Sequence, residues 1–443
     1  MNAVDKRPRS RPMKRKPPNP NLQRMAIIVL TTFGSLGDLH PKIALGLELK
    51  KRGHRIRFAT MDFYREKIER LGFEYSPMAP HMNPDEIADA PELMDAKTGT
   101  EKILRGIILP SVRPMFDDLM KAVDGSDLLI TGEIVYAAKS VVEKTGIAWI
   151  STTLAPVSLF SAYDPSVPPP APWFENLRGL GVTFHRGVHG VIRWVTSDWL
   201  KPYRDFRREI GLSEDHNPIF EGKYSDLLHL VMFSKVLAKP QPDWPKASLQ
   251  TGFCFYDGQE DSGTMPDGLA EFLDTGPPPI VFTLGSAAVM DARDFFDESA
   301  KAAKIVDCRA LLLYGRDCTP PKGLDQNIAA FEYAPYSLVF PKAACVVHQA
   351  GVGTTGQVLR AGVPHLIMPY GHDQPDNAAR CRRLGVAEIL TRDSYNAVNA
   401  AGMLQKIFGD QRYAEKAANT ATIVRAEHGT KTACDAIEAV LKK

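Results

Sequence analysis

The densest chemistry in this chain lies between His348 and Arg380, in the run H-Q-A-G-V-G-T-T-G-Q-V-L-R-A-G-V-P-H-L-I-M-P-Y-G-H-D-Q-P-D-N-A-A-R. An apolar stretch, Ala344 to Val347, reads as a buried strand. It empties into Gly351, Val352, Gly353, Thr354 and Thr355, which open a helix to about Ala361. Backbone N–H groups at such a helix start face whatever lies beyond the strand, and the helix dipole favours negative charge there. A second strand, Leu366 to Met368, ends at Pro369 and delivers Asp373, Gln374 and Asn377 to the same sheet edge. A carboxylate accepts hydrogen bonds and an amide both donates and accepts, a set that suits vicinal hydroxyls. The run therefore reads as a loop that holds phosphate beside one that grips hydroxyls. The bland alternative is two ordinary strand–turn–helix units, with Asp-Gln-Pro as a helix cap.

These loops need two sheets to carry them. At 443 residues the chain fits two domains of usual size. Ala26 to Thr31 is an apolar run, followed by T-F-G-S-L-G-D-L-H-P, an amphipathic stretch to about Arg52, and a second strand, Arg55 to Thr60. That strand–loop–helix–strand order builds parallel α/β sheets. Further strands are expected at 128–131 and 148–152 with a helix from about 135 to 145, and, in a second series, at 280–284, 310–313, 328–331, 344–347 and 366–368. Helices are expected at 398–408, 412–427 and 431–441. The fold class is α/β with two Rossmann-like domains. The expected division is a basic arm (1–24), a first domain (25–240), a polar, proline-rich linker (241–265), a second domain (266–425) and a terminal helix (426–443). From Leu154 to Trp173 prolines interleave with Phe160, Tyr163 and Trp173. Such a segment is neither a regular helix nor a central strand; it reads equally as the wall of an apolar pocket or as surface packing.

Composition is that of an ordinary globular enzyme, 44% hydrophobic and 24% charged. No apolar run approaches the roughly 20 residues that span a bilayer, and no secretory-type segment opens the chain. Cys254, Cys308, Cys318, Cys345, Cys381 and Cys434 show no paired spacing, which indicates neither a zinc site nor a disulfide framework and fits a reducing cytoplasm. Residues 1–24 carry Lys6, Arg7, Arg9, Arg11, Lys14, Arg15, Lys16 and Arg24 against Asp5. This arm is expected to be disordered. The preferred reading is an extension with no part in catalysis; weak contact with anionic lipid is the alternative, and no nucleic-acid partner is expected.

The His348–Arg380 run resembles the nucleotide-sugar signature of the inverting family 1 glycosyltransferases, which include plant, antibiotic-tailoring and sterol enzymes. The resemblance implies the GT-B arrangement: two Rossmann-like domains facing across a cleft, sugar donor on the second, acceptor on the first, and a last helix that often crosses back. It implies displacement at an anomeric carbon, with a nucleoside diphosphate leaving. That reaction needs a base, a cradle for the leaving diphosphate and a grip on the sugar.

By that resemblance Asp38, in G-S-L-G-D-L-H-P, is the expected base; many relatives carry His at this place, and those with G-S-R-G-D carry Asp. The loop lies at the carboxyl end of the first strand, where open α/β sheets place ligands. His40 is the competing base, and a helix cap is the structural alternative for Asp38. A carboxylate with a reference pKa near 4 is a modest base, and no orienting acid is required; Glu133 is only a loose candidate. For the diphosphate the expected contacts are Gly351, Gly353, Thr354 and Ser286. Gln349 stands where relatives have a phosphate-contacting His, and His348 is nominated to compensate if it can reach. Gln357 stands in place of the ribose-binding Glu, Tyr333 in place of the base-stacking Trp, and Ala334 offers backbone hydrogen bonds to the base. Asp373 and Gln374 match the pair that relatives use on sugar hydroxyls. Phe160, Tyr163 and Trp173 are the expected acceptor wall.

No Asp-x-Asp triplet occurs, so a metal-bound diphosphate is not expected, and no cofactor beyond the co-substrate nucleotide sugar is implied. The resulting expectation is an inverting, metal-independent transfer of a hexose from a UDP-sugar, most simply UDP-glucose, to a hydroxyl of an apolar small molecule. A dTDP-rhamnose-type transferase acting on lipid is the near alternative. A UDP-sugar epimerase and a non-catalytic nucleotide-sugar-binding module are the more distant ones.

Overall fold

Two parallel sheets carry the chain, and central strands such as Ile27–Thr31, Leu128–Thr131, Ile280–Thr283 and Ala310–Leu313 are almost wholly apolar because helices cover both faces. The computed structural model describes residues 25–82, 91–256, 258, 265–315 and 319–442, so the arm of residues 1–24 lies outside the described residues. The first sheet has seven strands in the order β3-β2-β1-β4-β5-β6-β7. They are β1 (Ile27–Thr31), β2 (Arg55–Thr60), β3 (Glu74–Pro77), β4 (Leu128–Thr131), β5 (Ala148–Thr153), β6 (Leu228–Val231) and β7 (Ser248–Gln250). The second has six in the order β10-β9-β8-β11-β12-β13: β8 (Ile280–Thr283), β9 (Ala310–Leu313), β10 (Ile328–Phe331), β11 (Cys345–His348), β12 (His365–Ile367) and β13 (Ala387–Ile389).

Seven helices matter for the site: α1 (Leu36–Lys51), α2 (Ala138–Thr145), α3 (Gly181–Val195), α4 (Val352–Ala361), α5 (Gln374–Leu384), α6 (Arg412–Ala426) and α7 (Gly429–Leu441). The helix expected from Val135 begins three residues later, at Ala138. In each sheet the strand order reverses once, between β1 and β4 and between β8 and β11. Crevices at such reversals, outside the carboxyl ends of the strands, are where open α/β sheets bind ligands. Asp38, Glu133, Gly285 and Gln349 lie in the segments that follow these four strands.

The strands that the sequence did not announce are β3, β6, β7 and β13. Three of these lie at sheet edges, where Glu74, Ser76, Ser248 and Gln250 face partial solvent and break the apolar run. The fourth, β6, holds His229, fully buried with Nδ1 2.8 Å from Ser151 Oγ. Strand β7 corrects the linker boundary: Ser248–Gln250 belongs to the first sheet although it falls within residues 241–265.

The last helices divide between the halves. On α6, Arg425 donates to the carbonyls of Arg360 (2.7 Å) and Ala361 (2.8 Å) at the end of α4. Helix α7 crosses back, burying Ala433, Cys434 and Ile437 in the core of the first sheet. Arg52 pins it by ion pairs to Asp435 (2.7 Å) and Glu438 (3.2 Å). Two further braces join the halves. Met94, from the first half, is buried in the core of the second sheet with Phe282 and Tyr370, and Thr100 Oγ1 lies 3.2 Å from His372 Nδ1. The proline-rich segment docks on α5: Arg380 binds the Asp164 carboxylate, and Val167 N–H donates to Asp376 Oδ1 (3.0 Å). This segment is thus a brace between the halves, a role beyond either of the two expected for it.

Candidate active site

On the first half, the turn after β1 is closed by a capping box. Ser35 Oγ accepts from Gly37 N–H (3.2 Å), and Asp38 Oδ2 accepts from the Ser35 N–H (2.9 Å) and hydroxyl (3.4 Å). Gly34 has φ +126°, and a Cβ there would stand 2.3 Å from Asp38 Oδ2, so only glycine lets the carboxylate take this position. Asp38 Oδ1 has no hydrogen-bond partner among the described residues and remains for other chemistry.

The field around Asp38 is strongly shaped. Burial, then the negative charge of Glu133, pushes its carboxyl up to about 7, against the hydrogen bonds of Ser35 and the charge of Lys42. Lys42, one helical turn on, is fully buried, donates to Thr152 Oγ1, and has its ammonium lowered to about 8 by that burial. Glu133 is held by Leu154 N–H and the Ser158 hydroxyl. It touches Asp38 through its field and is not hydrogen-bonded to it. His40 packs its ring edge-on against Tyr256, centroids 5.0 Å apart.

On the second half, Gly351 caps α4 without a side chain, so the first-turn amides of the helix are open to a ligand. Across the cleft, Gly37 Cα lies 3.9 Å from where a Cβ on Gly353 would be, so the N-terminal ends of α1 and α4 meet. Gly285 has φ +64°, and a Cβ there would stand 2.4 Å from Gln349 Nε2 and 3.3 Å from Thr354 Oγ1. The Gln349 amide and the Thr354 hydroxyl thus converge on the loop after β8. Tyr336, partly buried, makes a 2.9 Å hydrogen bond with Thr283 Oγ1 at the end of β8, just before this loop. The Ser286 side chain lies outside the described residues.

Asp373 stands beside α5, its Oδ2 accepting from Asn377 Nδ2 (2.7 Å), which also donates to the Ala350 carbonyl (2.9 Å). Burial, and then the fields of Asp38 and Glu133, raise Asp373 to about 7 against the Asn377 bond. Gln374 Oε1 accepts from Tyr370 N–H (2.9 Å). Tyr333 is 51% exposed and its chain neighbour Ala334 is buried. Gln357 is part-buried in the second turn of α4.

His348 does not reach the cradle. Its ring is fully buried, Nδ1 accepts from Ala350 N–H (3.1 Å), and Nε2 faces His365 Nδ1 at 3.0 Å. Burial depresses it to about 3, so it is a neutral prop for the loop. Of the aromatic wall, Phe160 packs on Phe220 (4.6 Å) with the Lys223 ammonium over its ring (5.1 Å). Trp173 is 62% exposed and meets its neighbour Phe174; Tyr163 is exposed under Arg186.

Comparison with known proteins matches the family described as "Erythromycin biosynthesis protein CIII-like, C-terminal domain" at residues 313–436. Residues 28–109 match "Glycosyltransferase family 28 N-terminal domain". The O-mycaminosyltylonolide 6-deoxyallosyltransferase of Streptomyces fradiae is 32% identical over 440 residues, covering 93% of this chain and 96% of that one. The chain belongs to the family 1 glycosyltransferases of GT-B fold. The vancomycin aglycone glucosyltransferase of Amycolatopsis orientalis is 29% identical over 387 residues, 85% of this chain and 90% of its own. The solved glycotransferase of kitacinnamycin superposes with a TM-score of 0.72 at 20% identity, over 94% of this chain and 99% of that one.

As a GT-B glycosyltransferase it binds a nucleotide sugar and a small-molecule acceptor. Within this glycosyltransferase, sequence reasoning missed Lys42, Lys223, Tyr336 and the Met94–Thr100 brace. A lysine inside an amphipathic run reads as solvated surface, so nothing in the sequence flagged Lys42 as buried behind Asp38. Among the described residues no group of three metal-binding side chains occurs, and no helix is long and apolar enough to cross a membrane.

Proposed function

We propose that this glycosyltransferase is inverting and metal-independent, and that it moves a hexose from a UDP-sugar, UDP-glucose in the first instance, to a hydroxyl of an apolar small molecule. The first-sheet half takes the acceptor and the second-sheet half the sugar donor. Asp38 is the base: its Oδ1 takes the proton of the acceptor hydroxyl as that oxygen attacks the anomeric carbon opposite the leaving diphosphate. The C1–O bond to phosphate breaks with its electron pair, and the departing charge is met by the α4 amides, Thr354 and Gln349. Asp373 and Gln374 hold sugar hydroxyls, Tyr333 stacks on the base, and Phe160 borders the acceptor.

The observation that carries this reading is the Asp38 carboxylate, with one oxygen open, standing where the N-terminal ends of α1 and α4 meet. A base titrating near 7 balances ionisation at neutral pH against proton affinity better than one near 4. A dTDP-6-deoxyhexose donor is the second reading, favoured by the 6-deoxyallosyl transfer named for the Streptomyces fradiae relative.

The test is transfer from UDP-glucose and dTDP-rhamnose to a panel of phenolic, steroid and lipid alcohols, in EDTA, with wild type and Asp38→Ala. Transfer that persists in EDTA and collapses in the variant supports the reading. Transfer that needs added Mg²⁺ or survives Asp38→Ala overturns the mechanism, and an altered free sugar without any acceptor would make the protein an epimerase.

A further inference from the structure

A lysine is almost never taken wholly out of water unless an opposite charge meets it. Lys42 is fully buried, and among the described residues its ammonium donates to the Thr152 hydroxyl and forms no ion pair. Thr152 in turn donates to the Thr131 carbonyl (2.8 Å), so the ammonium is moored near the carboxyl ends of β4 and β5. Glu133 follows Thr131 by two residues, and its carboxylate accepts from the N–H of Leu154, two residues beyond Thr152. Asp38 precedes Lys42 by four residues on α1, so both side chains leave the same face of the helix. The ammonium is thus placed against two carboxylates, Asp38 and Glu133, and hydrogen-bonded to neither. An apolar side chain of similar reach would fill the position without desolvating a charge, so packing does not account for a lysine here.

The neighbouring groups narrow what this charge can act on. After β7, burial pushes the Cys254 thiol up to about 12. On β6, burial and then the charges of Lys223 and Lys42 depress His229 to about 3, so both groups are neutral near pH 7. Burial keeps the Tyr136 phenol neutral as well. The groups left to carry charge are the carboxyls of Asp38, Glu133 and, from the second half, Asp373, against the ammonium groups of Lys42 and Lys223. Lys42 acts on Asp38 in opposition to Glu133.

We propose that Lys42 is a positioning residue of the transfer reaction: its buried ammonium, moored to Thr152, supplies the positive field that keeps the Asp38 carboxylate charged and ready for the acceptor proton. The inference deepens the reading of Asp38 as base, and only its kinetic arm rests on that reading. Lys42 touches no reacting atom; it acts through Asp38.

The test is a carboxyl-carbon NMR titration of the full chain made with isotope-labelled aspartate, from about pH 5 to pH 10, without any ligand. Wild type is compared with Lys42→Met, Lys42→Gln and Lys42→Arg, and the Asp38 resonance is the one missing from Asp38→Asn. The midpoint of Asp38 should lie about one pH unit or more higher in both neutral variants, as expected for losing a unit charge within roughly 8 Å at an effective dielectric of about 20. Lys42→Arg should return it to near the wild-type value. The acid limb of kcat/KM should move with the resonance, so Lys42→Met loses about tenfold more at pH 6 than at pH 9, with the donor and acceptor that the panel above selects. A merely structural defect would lower turnover equally at every pH, because the midpoint of a limb does not depend on the fraction of active protein. An Asp38 midpoint that stays at the wild-type value in the neutral variants, or moves down, overturns the proposal and leaves the Asp38→Ala test of the base untouched. A raised midpoint beside an Asp38→Ala enzyme that still transfers overturns both the base and this use of Lys42.

Discussion

Asp38 Oδ2 accepts hydrogen bonds from both the backbone N–H and the hydroxyl of Ser35, so one oxygen of this carboxylate closes the cap of α1 while the other is the one proposed to act as base. The two roles separate by substitution. Asp38→Asn keeps an acceptor for the Ser35 N–H and removes the base. It should lower kcat by about 100-fold or more and leave the thermal midpoint nearly unchanged. Ser35→Ala should do the reverse, costing about 1 kcal/mol of stability as a lost cap with a smaller loss of turnover. Urea unfolding alongside steady-state kinetics checks both; an Asp38→Asn enzyme within a few-fold of wild type would remove Asp38 from the base position.

The acid limb of catalysis should report this carboxylate. Asp38 and Asp373 are each raised to about 7 by burial, Glu133 adds to both, and the charge of Asp38 raises Asp373 further, an interaction that by Coulomb's law acts both ways. They therefore titrate as a coupled pair. kcat/KM should rise with pH up to an apparent pKa of about 7, and the limb of Asp373→Asn should move to lower pH because one negative neighbour is gone. An acid limb near 4 would show that the field seen here does not operate in solution.

The same shifts act on stability with the opposite sense to an ion-paired acid. Folded, these carboxyls hold protons more tightly than at their ordinary value of 3.8. Between about pH 4 and pH 7 the folded chain therefore binds more protons than the unfolded one, and their contribution falls as pH rises. Asp373→Asn should melt higher than wild type at pH 8 and close to it at pH 4. Differential scanning calorimetry at the two pH values checks this; a variant that melts lower at pH 8 would mean that the Asn377 bond outweighs burial.

Much of this arrangement is legible in the sequence because it rests on local signals. The glycine-rich turn after β11, the Pro-stopped β12 and the Asp-Gln pair are contiguous, and each loop follows an apolar run that can only be a buried strand. What was not legible depends on residues far apart. His348 looked available because nothing in its own neighbourhood shows that His365, seventeen residues on, meets its ring. Nothing near Lys42 in the sequence announces its burial, because its ammonium meets Thr152, 110 residues on, only in the folded chain. Strand β7 looked like linker because edge strands tolerate polar residues on both faces.

Gly285 tests the cradle without touching the base. With φ +64° and the Gln349 amide 2.4 Å from the Cβ position, Gly285→Ala must move either the loop after β8 or Gln349. Calorimetric titration with UDP and dTDP should show at least tenfold weaker binding of both, since a diphosphate cradle is shared by any nucleotide. Weakening of one nucleotide alone would place Gly285 near the base and not the phosphates.

Arg380 tests the brace that sets how the halves face each other. Its guanidinium is 2% exposed and binds Asp376 (2.8 Å, itself fully buried) and Asp164 from the proline-rich segment. Burial alone would raise Asp164, but the charge of Arg380 holds it below the ordinary aspartate range. Arg380→Leu leaves Asp376 charged in the interior without its cation, a loss of about 3–5 kcal/mol. Arg380→Leu/Asp376→Leu removes both charges and should recover at least half of that loss, because the penalty comes from the stranded carboxylate more than from the missing attraction. If the double variant were no more stable than the single one, the brace would depend on the Asp164 and Val167 contacts, and turnover in the double variant should then fall with stability as the proline-rich segment leaves α5.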